Sequence, residues 1–113
     1  MTLREIVNLL GAQVRLGESR LDEEAEFVFA SDLMSDVLTL HDTPLLVTGL
    51  CNVQTIRTCD MANIDMVLFV RKKKATPDMV ELAEENDMVL IESDFSLFKV
   101  CGLLYQAGLK PLY

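Results

Sequence analysis

Tryptophan is absent from this 113-residue chain, and five Phe and two Tyr are its only other aromatics. A hydrophobic core must therefore be built from Leu, Val, Ile and Met. There is one histidine, His41, so chemistry that needs two imidazoles is excluded. His41 falls near the end of an expected helix, where a capping or surface role suits it better than general-base work. The three cysteines, Cys51, Cys59 and Cys101, are odd in number and lack C-x-x-C spacing, which fits neither a disulfide framework nor a zinc site. Free thiols in apolar surroundings point to a reducing cytoplasm. Basic residues are scarce, ten against eighteen acids, for a net charge of −8. So acidic a domain repels phosphate backbones, and nucleic acid is not an expected partner. No apolar run approaches the roughly 18–20 residues that span a bilayer. Nor does the start, Met1-Thr2-Leu3-Arg4-Glu5, have the basic-then-apolar order of a signal peptide. No membrane partner is expected. The chain also lacks a Walker A pattern, a G-x-G-x-x-G and a G-x-S-x-G elbow.

What is present is ordinary globular composition, half apolar and a quarter charged, in a length that suits a single domain over residues 1–113. Leu3, Ile6, Val7 and Leu10 form a helical stripe. Thr2 and Glu5 are placed as a capping box and Gly11 as the stop. Ala12–Leu16 is a strand candidate. Gly17–Glu26, with five acids and Arg20, reads as a solvated excursion.

From residue 27 onward, strands and helices alternate. Phe27–Ala30, Pro44–Thr48, Met66–Val70 and Met88–Ile91 are short apolar runs of buried-strand type. Ser31 or Asp32 is expected to cap a helix reaching about His41. Asn52 opens one with Val53, Ile56, Cys59 and Met61 as apolar positions. Thr76 and Pro77 start one that buries Met79, Val80, Leu82 and Ala83. Asp94 or Ser96 caps the last, in which Leu97, Val100, Cys101, Leu104 and Tyr105 recur at helical spacing before Gly108. Continuously apolar strands alternating with helices predict an α/β fold. The expected form is a three-layer sandwich, a mainly parallel sheet of about 4–5 strands with helices on both faces.

In such sheets, ligands bind outside the carboxyl ends of the strands. This selects Ser31-Asp32, Thr48–Asn52, Arg71–Lys74 and Glu92-Ser93-Asp94. At Thr48–Asn52, Gly49 permits close approach, the following helix offers free amides to an anion, and Arg57 lies further along that helix. The alternative is that Gly49 merely turns the chain and Asn52 merely caps. The basic run Arg71–Lys74 is either a solvated turn or a local anion contact. Cys51 lies near a helix start but has no adjacent histidine. Asp32 and Asp36, at i, i+4, form a solvated acidic face more readily than a cation site.

These residues carry a resemblance. Ala30-Ser31-Asp32-Leu33, Leu45-Leu46-Val47-Thr48-Gly49-Leu50, and Met79–Ala83 ahead of Val89-Leu90-Ile91-Glu92-Ser93 resemble the DRTGG domain, over about residues 27–109. That domain is named for an Asp-Arg and a Thr-Gly-Gly in these post-strand turns. The likeness extends to the N-terminal domain of HPr serine kinase/phosphorylase, which lacks the catalytic P-loop. DRTGG domains also stand beside CBS domains in some regulatory pyrophosphatases. The resemblance implies a regulatory domain, an adenine nucleotide or other small anion as ligand, and a homodimer. Asp32 matches the motif's Asp, and Thr48 and Gly49 its Thr-Gly. Leu33 stands in place of the Arg, which removes a bidentate phosphate partner, and Leu50 in place of the second Gly.

The expected function is thus non-catalytic ligand sensing, with Ser31, Asp32, Thr48, Gly49, Asn52, Arg57, Arg71 and Ser93 as candidate ligand contacts and no cofactor. The alternative is a protein–protein assembly module within a larger metabolic or redox complex. Phosphoryl transfer would need a phosphate cradle and metal ligands that the sequence does not contain.

Overall fold

The computed structural model describes all 113 residues. Helix α1 (Leu3–Leu10) opens with the expected box. The Thr2 hydroxyl accepts the Glu5 amide hydrogen at 3.1 Å, and the Glu5 carboxylate accepts that of Thr2 at 3.1 Å. Strand β1 (Gln13–Leu16) follows, then a 3-10 turn at Glu18–Arg20. The remaining elements are β2 (Phe27–Ala30), α2 (Met34–Val37), β3 (Leu45–Thr48), α3 (Val53–Met61), β4 (Met66–Phe69), α4 (Pro77–Glu85), β5 (Val89–Glu92), α5 (Leu97–Gln106) and β6 (Lys110–Pro111).

The six strands form one sheet in the order β1-β5-β4-β3-β2-β6. Strands β2 to β6 pair in parallel, and only β1, antiparallel to β5, departs. Every residue of β3, β4 and β5 is buried, which is what a strand covered on both faces requires. Alternate side chains go to opposite faces. Leu45, Val47, Leu68, Val89 and Ile91 pack with α1 and α5. Leu46, Val67, Phe69 and Leu90 pack with α2, α3 and α4. The α/β three-layer expectation holds, with six strands in place of four or five. The strand not anticipated is β6. It has two residues and contains Pro111; the Lys110 and Leu112 amides donate to the Glu26 and Val28 carbonyls, and Lys110 Nζ lies 3.5 Å from the Glu26 carboxylate.

Four local expectations need correction. The first concerns the helix after β2, which spans only Met34–Val37 and has no side-chain cap. Ser31 instead accepts the Leu33 amide hydrogen at 3.0 Å, and Asp32 is committed elsewhere, so neither is available as an N-cap. Second, Met61 is 71% exposed. It lies two residues, about 200°, beyond Cys59, whereas the inward face of α3 is completed by Thr55 and Thr58. Third, Tyr105 is 70% exposed, because α5 buries Val100 and Leu104 instead. Fourth, the Gly17–Glu26 excursion is not simply solvated. Leu21 and Ala25 are buried in the core beneath α1. Arg20 ties the excursion to the starts of β4 and β5, pairing with Glu23 at 2.6 and 2.8 Å and Asp65 at 2.8 Å and donating to the Asp87 carbonyl. No helix is long and apolar enough to cross a membrane.

Candidate functional site

Strands β2, β3 and β4 are each followed by a helix on one face of the sheet, whereas β5 is followed by α5 on the other. The connections therefore part between the carboxyl ends of β4 and β5, and that is the topological switch point where open α/β sheets place ligands. Along this end, four of the sequence-selected loops form a continuous row.

At one end of the row, Asp32 reaches across to the β3 loop. Its Oδ1 accepts the Thr48 hydroxyl at 2.9 Å and the Gly49 amide at 2.7 Å. Thr48 Oγ1 in turn accepts the Leu50 amide hydrogen at 3.1 Å. The structure thus brings Asp32, Thr48 and Gly49 together, as the motif reading expects. It also satisfies the Gly49 and Leu50 amides internally. Gly49 does not adopt a positive φ, and a Cβ there would lie 3.6 Å from Asp32, in ordinary contact. The turn does not need glycine for its own geometry. Asn52 is the N-cap of α3, its Oδ1 accepting the Thr55 amide hydrogen at 2.9 Å. The Ser31 hydroxyl is committed to its local turn.

At the switch point the basic run is anchored rather than loose. The Arg71 amide donates to the Phe95 carbonyl at 2.7 Å and the Lys72 amide to Ser93 at 3.1 Å. Both residues hold left-handed backbones, φ 58° and 62°, which side chains of their kind rarely adopt. Ser93 is buried, and its hydroxyl accepts the Phe95 amide hydrogen at 3.2 Å. The fully buried Val70 joins the halves of the row. Its amide donates to the Thr48 carbonyl, and its side chain lies 3.9 Å from the Cβ position of Gly49.

Sequence reasoning underrated Glu92. It is 4% exposed, its Oε2 accepts the Ala75 amide hydrogen at 2.7 Å, and Oε1 lies 3.8 Å from Lys74 Nζ. Lys74 also lies 4.0 Å from Asp94. Lys74, the last residue of the basic run, thus stands between two acids, and Arg71, Lys72 and Lys73 are exposed beside it. A charged residue ending an otherwise apolar strand was the signal for Glu92. Burial pushes the Cys51 thiol up, Glu92 adds to this, and Lys73 opposes it, which is the reverse of an activated nucleophile.

Arg57 does not join the row. It is exposed on the side of α3 that faces α4, where it lines a groove with Asp78, Glu81 and Glu85. The most apolar cavity, about 290 Å3, is also elsewhere, between α5 and the β2–β6 edge.

No protein-family model matches the chain, and no curated protein matches it in sequence. Among solved structures, it is similar to the CBS and DRTGG domains of the regulatory region of Clostridium perfringens pyrophosphatase, complexed with the activator diadenosine tetraphosphate. The TM-score is 0.75 at 16% identity, over 94% of this chain and 46% of that one, so the chain spans about half its length. The likeness extends along nearly the whole chain, and the fold is consistent with a DRTGG-type domain.

Proposed function

We propose that this chain is a non-catalytic regulatory domain that senses a small anionic ligand of the adenine nucleotide type at the carboxyl ends of β2–β5. The observation that carries the reading is the anchoring of Arg71 and Lys72 by the Phe95 and Ser93 carbonyls at the switch point. A solvated turn has no need of two consecutive left-handed residues, whereas backbone strain of this kind gathers at ligand sites. The corner offers phosphate groups the side chains of Arg71, Lys72 and Lys73. Asp32, whose Oδ2 carries no hydrogen bond, offers an acceptor to a sugar hydroxyl. The Gly49 amide, already donated to Asp32, is not the phosphate donor, and Arg57 is not a contact.

A thermal-shift screen with adenine mono- and dinucleotides and simple anions tests this. A ligand at 100 times its Kd adds about 2.7 kcal/mol. Arg71→Ala is expected to abolish that shift, and Thr48→Val to weaken it. No shift with any of these ligands sinks the sensing reading.

The second reading is an assembly module that docks by surface contact. It is favoured by one observation, the exposure of Phe98 and Tyr105 on α5.

A further inference from the structure

The cavity between α5 and the β2–β6 edge exists because the edge strand stops early. β6 pairs with β2 only at Phe27 and Val28, so past that point no ladder strand lies against this side of β2. The chain beyond β6 does not close the gap. The Leu112 amide donates to the Val28 carbonyl at 3.2 Å, and the Tyr113 ring meets Phe29 edge-on, with centroids 6.1 Å apart and planes at 70°. From the other side α5 supplies Cys101, Leu104 and Tyr105. Leu104 and Leu109 are buried beneath as core residues. A space of about 290 Å3 is left between these walls. Protein interiors are close-packed, with few voids larger than a water molecule, so a space of this size is an exception.

The walls define what the space can hold. Nine of the eleven lining residues are hydrophobic, and Lys110 is the one charged residue among them. Lys110 Nζ lies 3.5 Å from the Glu26 carboxylate, so its charge is already met. An ion entering this space loses its hydration without gaining a partner, which argues against a nucleotide or other anion here. Burial pushes the Cys101 thiol up, so it stays protonated and serves as part of the apolar wall. The chain has two tyrosines, and both line this cavity, although Tyr105 is 70% and Tyr113 84% exposed. Tyrosine suits a position with one apolar and one wet side, which is a mouth rather than a core. With Phe29, these rings favour edge-to-face or offset contact with a further ring.

We propose that this cavity is a binding site for a small uncharged aromatic molecule of one or two fused rings. The volume sets the size. An apolar cavity of about 150 Å3 holds benzene, and about 290 Å3 leaves room for a second ring. Small-molecule pockets begin at about 300 Å3 and are lined in this way, mostly by apolar and aromatic side chains with a few polar groups. The lining sets the charge, since the walls offer no free partner to an ion. The site is independent of nucleotide sensing. It contains none of the residues offered to phosphate at the switch point, so either reading can fail without the other.

Alkylation of the wild-type chain by iodoacetamide, followed at each cysteine by mass spectrometry with indole as the probe, tests it. Cys51 is the internal reference, because it is also half-buried with its thiol raised by burial, and it does not line the cavity. Only unoccupied protein reacts at Cys101, so indole at ten times its Kd should slow that residue about tenfold. The protection is expected to saturate below about 1 mM indole, with the rate at Cys51 unchanged. No protection of Cys101 up to that concentration overturns the proposal, and so does equal slowing of both cysteines. A second measurement uses Cys101→Phe, which puts a ring of the protein's own into the space. Indole should raise the thermal midpoint of the wild type and leave that of the variant unmoved. An equal rise in a folded variant also overturns the proposal, and if the variant does not fold, the wild-type alkylation rates decide alone.

Discussion

The Asp32 carboxylate and the Gly49 amide meet at 2.7 Å across the gap between the loops that follow β2 and β3. With the Thr48 hydroxyl on the same oxygen, this clip ties two loops that share no ladder contact beyond Ala30 and Val47. Asp32→Ala is expected to lower stability by about 1–2 kcal/mol, because two donors lose a charged acceptor in a partly solvated setting. Asp32→Asn retains an acceptor and should lose less. Urea unfolding of the three proteins checks the order. Equal midpoints for wild type and Asp32→Ala would show that the clip contributes nothing.

Gly17 lies beneath β5 with φ 94°, and a Cβ there would fall 2.8 Å from Val89 Cγ2 and 3.0 Å from its Cα. The backbone cannot yield as a flexible side chain would. Gly17→Ala should therefore cost about 2–4 kcal/mol, combining the left-handed penalty with overpacking. Gly11→Ala, also left-handed but with open space around it, should cost only the conformational part, about 1–2 kcal/mol. If the two variants melt together, the close approach of Gly17 to Val89 is not what the position requires.

The Arg20 guanidinium beside Glu23 holds that carboxyl below its usual range. A depressed carboxylate contributes stability above its unfolded pKa, about 4.3, and loses it as pH falls through the lower folded value. Stability should thus decline on acidification through and below about pH 4. Arg20→Leu should flatten that part of the profile as well as lower stability at neutral pH. An unchanged acid limb in the variant would disconnect Glu23 from Arg20.

Burial pushes the Cys59 thiol up to about 12, and raises Cys51 and Cys101 less far. A thiol near 8.5 when unfolded favours the unfolded chain as pH rises above that value, up to the folded pKa. Stability should fall between about pH 8.5 and 12, and Cys59→Ala should shallow this fall. Alkylation at pH 8 should modify Cys51 and Cys101 ahead of Cys59. Simultaneous modification of all three would contradict the burial of Cys59.

The central sheet was legible because its signals are redundant. β4 is apolar throughout, β3 and β5 are apolar up to their last residues, Thr48 and Glu92, and the helices that follow begin behind Asn52, Thr76 and Ser96, whose side chains act as caps in the structure. Where one residue had two possible uses, sequence reasoning chose wrongly. Asp32 has the chemistry of a cap, but its partners, Thr48 and Gly49, lie 16 and 17 residues away, and no local pattern reveals them. Met61 and Tyr105 are apolar by type and placed outward by helical phase. In the candidate site, the loops were legible from the carboxyl-end rule. Their adjacency was not, because the switch point depends on which face each crossover takes. Arg57 was carried into the site by sequence proximity to Asn52, and the helix turns it toward α4.

The two margins of the sheet have a consequence for the protein at high concentration. On one side β1 is four residues long and its register slips between Val14 and Leu16. On the other, β6 has two residues, one of them Pro111, which has no amide hydrogen to give. Neither margin presents the long, flat row of unpaired groups that recruits foreign strands. The molecule is thereby guarded against edge-to-edge aggregation and fibril growth although half its residues are apolar.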